Sequence, residues 1–109
     1  MKVREKVKIT LHYRDGAKRE ISGYLVDVAP HAPDIEFVVH RSMAYAGSDP
    51  GTEWDVSERS TGFNVIRGEF GETPKQVIER ARIKLERHTP QKMREAVEKA
   101  KRVLAAEAA

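Results

Sequence analysis

The hydrophobic pattern of this chain changes period once, at Thr73. Before that point apolar residues alternate singly with polar ones in short runs broken by glycine and proline, as in strands. After it they recur every three or four residues, as on one face of a helix. Strands confined to the first two thirds and helices to the last third predict an α+β fold. The expected architecture is an antiparallel sheet of four to five strands, two hairpins plus a connecting strand, with one or two C-terminal helices packed on one face. A chain of 109 residues supports one modest core, so a single domain is expected over residues 1–106, with 107–109 as a frayed tail.

Val7, Ile9, Leu11 and Tyr13 alternate with Lys8, Thr10 and His12 in the first strand, and Asp15-Gly16 marks the turn after it. A two-residue Asp15-Gly16 loop would set Ile21 opposite Thr10, on the wrong face. A three-residue loop, Arg14-Asp15-Gly16 with Gly16 left-handed, sets Ile21 opposite Ile9 and is the expected turn. Beyond Gly23 the apolar phase passes from Ile21 to Tyr24, Val26 and Val28, which predicts a β-bulge at the glycine. Pro30 and Pro33 interrupt the pattern, and Ile35, Phe37 and Val39 open a third strand whose other face carries Glu36, Val38 and His40. Residues 42–52 have no period and read as a mobile loop.

In WDVSERSTGFNVIRG, residues 54–68, Trp54 and Val56 share one strand face, and Phe63 and Val65 one face of the next. A four-residue loop from Arg59 to Gly62 makes those faces coincide, with Gly62 in the left-handed region. These four apolar residues are expected in the core, and Arg59, Ser60 and Thr61 form a polar tip that is the candidate partner contact of the hairpin. Thr73-Pro74-Lys75-Gln76 then combines an N-cap threonine, proline at the first helical position and a capping-box glutamine. Val77, Ile78, Ala81 and Leu85 form the stripe of this helix. Thr89 caps a second one, with Met93, Ala96, Val97, Ala100 and Leu104 on one face. Met93, Val97 and Leu104 are the candidate surface for a homodimer.

The absence of cysteine excludes disulfides and thiol catalysis and fits a reducing cytoplasm. MKVREKVKIT has no apolar core of a secretory signal, and no segment reaches the roughly 18 apolar residues of a membrane span. Net charge is +3, divided as +3 over residues 1–28, −5 over 29–72 and +5 over 73–109. A basic face built from the two ends is therefore expected. Arg80, Lys84 and Arg87 recur at helical spacing with Lys75 nearby, while Lys8, Arg14 and Arg19 lie on the first hairpin. These seven are the candidate nucleic-acid contacts, because each cation placed at a phosphate releases counterions. The same residues also suit a solvated helix face and a charge-protected edge strand.

Gly68-Glu69-Phe70-Gly71 precedes a helix but lacks the lysine of a phosphate loop, and its acids repel anions, so it reads as a plain connection. The four histidines are scattered. His31 and Asp34 form a close histidine–carboxylate pair, for which turn capping is favoured over metal binding. No metal or other cofactor is expected. Ser57, Ser60 and Thr61 would be nucleophiles only with a histidine in hydrogen-bond reach, which the spacing does not indicate, so no enzyme is expected.

The pattern Trp54-x-Val56-Ser57-Glu58-x-x-Thr61-Gly62-x-x-Val65-x-x-Gly68, followed by a threonine-capped helix, resembles small uncharacterised proteins of phages and other mobile elements. A fainter similarity is to Hic-type antitoxins, in which a strand pair leads into a Gly-x-Thr helix start; those carry an Asp-Leu-Pro-Gly-like segment where this chain has Arg59-Ser60-Thr61-Gly62. The resemblance implies an accessory or regulatory role without catalysis. The expected function is a cytoplasmic binding module that contacts nucleic acid, or a protein that handles it, through the basic face. The alternative is a protein inhibitor or antitoxin-like module that uses its acidic middle on a basic partner.

Overall fold

A computed structural model describes residues 5–13, 15–43, 47, 49 and 51–108. Five strands precede two helices: β1 (Lys6–His12), β2 (Lys18–Val26), β3 (Phe37–Arg41), β4 (Trp54–Glu58), β5 (Asn64–Arg67), α1 (Pro74–Glu86) and α2 (Pro90–Ala108). The strands form one antiparallel sheet in sequence order. The α+β architecture expected from the change of period is the one observed.

The first hairpin has the odd loop. Ile9 stands opposite Ile21, Gly16 has φ 85, and Tyr13 N–H donates to the Ala17 carbonyl across the turn. The bulge expected at Gly23 does not occur. β2 keeps one register with β1 through Gly23, so Ile21, Gly23 and Leu25 share a face, and Tyr24 and Val26 belong to the other. Gly23 answers a steric need instead: a Cβ there would overlap Val38 Cγ1 and the Val39 carbonyl oxygen. The irregularity lies further on, between Val56 and Ser57, where β5 shifts register. That shift puts Ile66 opposite Val56. Phe63, expected in the core, stands on the turn side of the shift and is 39% exposed.

The sheet curls until the β4–β5 turn meets the outward backbone of β1. Gly62, at φ 72, packs so closely that a Cβ would overlap the Thr10 carbonyl oxygen. Curling gives the sheet two buried faces. Val7, Ile9, Leu11, Val38 and Met43 form a small cluster on one. The main core on the other joins Val28, Phe37, Val39 and Val56 to Val77, Ala81 and Leu85 of α1 and Met93 of α2.

Helix α1 starts as its sequence dictates. Thr73 Oγ1 accepts from Gln76 N–H, the Gln76 side chain accepts from Thr73 N–H, and Pro74 occupies the first turn. The helix lies across β4 and β5, and on its flank Lys84 Nζ donates to the Val65 carbonyl at 2.8 Å while Arg80 donates to the Arg67 carbonyl at 2.9 Å. Thr89 caps α2 through Lys92 N–H. The β2–β3 connection holds the helix pair in place: Asp34 takes both guanidinium donors of Arg94, at 2.8 and 3.1 Å, and His31 Nε2 lies 3.0 Å from the His88 carbonyl oxygen. His31 and Asp34 thus dock helices, beyond the turn capping expected of them. Among the described residues no helix is long and apolar enough to cross a membrane.

Candidate functional site

At one end of the curled sheet a cleft of about 510 Å³ opens between the first hairpin, the β3–β4 connection and the β5–α1 connection. Its walls include Tyr13, His40, Ser42, Asp55, Arg67 and Phe70. The polar groups at its floor satisfy one another. Asp55 Oδ1 accepts from Ser42 Oγ at 2.7 Å and from Gly68 N–H at 3.0 Å. Burial pushes the Tyr13 phenol above its ordinary pKa, and its hydroxyl reaches the Met43 carbonyl at 3.4 Å.

His40 and Ser57 meet below this floor. His40 Nε2 is 2.8 Å from Ser57 Oγ, and Nδ1 is 2.8 Å from the Arg41 carbonyl oxygen. A carbonyl only accepts, so Nδ1 carries the proton and Nε2 is the acceptor facing Ser57. Ser57 Oγ is also 2.6 Å from Asn64 Oδ1; one hydroxyl proton serves one acceptor, and the chain closes when the Asn64 amide turns its NH2 to Ser57. Desolvation holds His40 below its ordinary pKa, against the opposing pull of the Arg41 carbonyl and of Asp55. The arrangement has the serine–histidine distance of a nucleophile and its base. Ser57 is fully buried and His40 is 1% exposed, so the hydroxyl faces packed side chains behind the part of the cleft wall that His40 forms. It ties β3, β4 and β5 together.

The rim is different. Phe70 is 88% exposed, the largest exposure of any bulky apolar side chain among the described residues. The turn that carries it is braced on every side: Glu72 N–H donates to the Glu69 carbonyl, Glu69 N–H donates to Glu72 Oε1 at 2.7 Å, and Arg80 grips Glu72 through Nε at 2.7 Å. The guanidinium draws the Glu72 carboxyl below its ordinary pKa. Gly68 N–H fastens the turn's other end to Asp55. An aromatic ring is therefore held out into solvent on a turn closed by its own hydrogen bonds. In the sequence Phe70 is inconspicuous, because two glycines and two glutamates around it look like an ordinary connection.

The expected contact residues fall into several settings. Arg80 and Lys84 are engaged with Glu72 and with β5 carbonyls, whereas Lys75 and Arg87 are exposed and form no ion pair among the described residues. Lys8 is exposed and 4.0 Å from Glu20, Arg19 is half-buried, and Arg14 lies outside the described residues, as does part of the 42–52 loop. At the hairpin tip Arg59 pairs with Glu36 at 3.0 Å. Ser60 and Thr61 both wrap the Glu58 carboxylate, each giving a backbone N–H and a hydroxyl at 2.6 to 3.0 Å, and Thr61 is buried. The tip is an internal carboxylate cage with Ser60 alone exposed. On α2, Met93 is buried in the core while Val97 and Leu104 are half-buried. Among the described residues no group of three histidines or carboxylates stands close enough to hold a metal ion.

These features define an α+β domain, a curled five-stranded meander closed on one face by a helix pair, with a braced aromatic at its rim. Comparison with protein families, curated proteins and solved structures gives no match.

Proposed function

We propose that this protein is a small non-enzymatic binding module that engages a protein partner through the Phe70 turn. The observation that carries the reading is the 88% exposure of Phe70 on a turn ordered by its own hydrogen bonds. Preorganised aromatic anchors contribute disproportionately to binding, because their burial gain is not offset by ordering the chain that bears them. The burial of Ser57 supports a role without catalysis. The resemblance to mobile-element proteins points the same way, to an accessory that acts by contact. The test is photo-crosslinking in cells with benzoylphenylalanine at position 70, using exposed position 20 as reference. A discrete protein adduct formed from position 70 alone is expected; equal adducts from both positions, or none, would sink the reading.

A second reading, contact with nucleic acid, is favoured by Arg67 and Phe70 lining the same cleft, since a cation and an exposed aromatic ring in one groove suit a phosphate and an unpaired base. Fluorescence anisotropy of labelled single- and double-stranded oligonucleotides across a salt series tests it. Binding that falls steeply with salt, about 0.7 to 0.9 in log–log slope per phosphate contact, and that weakens on Arg67→Glu or Arg87→Glu supports it. No binding at low salt removes it.

A further inference from the structure

We propose that the Phe70 turn inserts into an apolar groove of a second copy of this chain, reciprocally, so that the partner of the module is itself. The inference rests on Phe70 being an anchor. The groove lies between β5, the C-terminal end of α1 and α2; Phe63, Val65, Leu85, Met93, Val97 and Ala100 line it, and its volume is about 300 Å³. A cavity of about 150 Å³ accommodates benzene, so a benzyl side chain fits with room for its flanks. Phe63 is 39% exposed there and offers the incoming ring an aromatic edge or face.

Charge matches as well as shape. The knob is flanked by Glu69 and Glu72, with Arg67 on the same cleft wall, while Lys84 and Lys92 rim the groove together with Glu58, whose carboxylate is already engaged by Ser60 and Thr61. Glu72 is held by Arg80, which leaves the exposed Glu69 as the acid that faces the partner's lysines. Phe70 cannot fill the groove of its own molecule. It precedes the N-terminal end of α1, the groove begins at Lys84 and Leu85 near the other end, and the 13-residue helix between them spans about 20 Å. Knob and groove at opposite ends of one helix are the arrangement that a two-fold axis across the middle of α1 exchanges in a single step, each copy giving and receiving one ring.

The experiment is sedimentation equilibrium of the full chain from about 1 μM to 1 mM, with Phe70→Ser and Ala96→Arg. Ala96 is exposed on the groove wall, so both substitutions leave the core intact, and circular dichroism confirms the folded state of each. Wild type is expected to form a dimer. Each variant alone loses both ring insertions and should associate about 100- to 10,000-fold more weakly, at about 10- to 100-fold per aromatic burial. An equimolar mixture of the two should associate more strongly than either, because Phe70→Ser retains an intact groove and Ala96→Arg an intact knob. A wild type that stays monomeric at the highest concentration overturns the proposal, as does an Ala96→Arg variant that dimerises like wild type. A monomeric wild type whose position 70 still crosslinks to a different polypeptide overturns self-association alone; a position 70 that crosslinks to nothing overturns the anchor itself.

Discussion

Replacing Glu58 by glutamine keeps the shape of the side chain and removes its ability to accept at both ends. In the folded protein the two carboxylate oxygens receive the backbone N–H groups of Ser60 and Thr61 and both their hydroxyls, at 2.6 to 3.0 Å. Glutamine keeps one accepting oxygen and turns an NH2 toward the remaining donors. The Ser60 hydroxyl can rotate to accept from that NH2, but a backbone N–H cannot, so one amide in the turn loses its partner at a cost of about 1–3 kcal/mol. The bonds that survive fall from charge-assisted to neutral strength, each worth about half as much. The expected loss is about 2–4 kcal/mol, which at about 4–8 °C per kcal/mol for a domain of this size is a large fall in Tm. Urea denaturation followed by circular dichroism measures it, with Ser60→Ala, whose side chain is exposed, as a milder companion. A change below about 0.5 kcal/mol, the range of a featureless surface substitution, would show that the cage contributes no stability and refute the reasoning.

Three more outcomes are expected. Gly62→Ala combines a positive φ with a Cβ driven into the Thr10 carbonyl, so it should destabilise by more than about 2 kcal/mol and increase exchange of β1 amides; native-like protection of β1 would argue against the close approach. His40 is held below its ordinary pKa by burial, so as pH falls below about 6.5 the unfolded chain takes up a proton that the folded one refuses. Stability should then decline by up to about 1.4 kcal/mol per pH unit until the folded pKa is reached, and an NMR midpoint for His40 at or above 6.5 would contradict this. Thr73→Ala removes half of the capping box and should cost about 1 kcal/mol in thermal or urea melts, with Thr73→Ser restoring most of it.

Local chemistry was readable in the sequence where a few adjacent residues settle it. The three-residue turn at Gly16, the four-residue turn at Gly62 and the Thr73–Gln76 box each follow from short-range geometry. The buried second face was not readable, because His40 and Ser57 look like the polar side of an amphipathic strand until the sheet curls and Gly62 meets β1. The register shift between Val56 and Ser57, which brings Ile66 opposite Val56, is marked by no turn residue. Spacing alone could place Arg80 and Lys84 on one flank of α1, but it could not tell a flank open to phosphates from one already bonded to β5. The candidate anchor was legible only as an ordinary connection, since what distinguishes Phe70 is the absence of neighbours.

The bonds from Lys84 and Arg80 to the Val65 and Arg67 carbonyls have a consequence for how this protein behaves at high concentration. An outermost strand with open carbonyls is a template for a strand from another molecule, and on β5 two of those acceptors are occupied by side chains that keep their positions only while α1 is helical. Damage to α1, including a weakened start at Thr73, therefore does more than lower stability: it uncovers a growing end. Aggregation of such variants should proceed by addition of strands along β5 and outrun what their loss of stability alone would give.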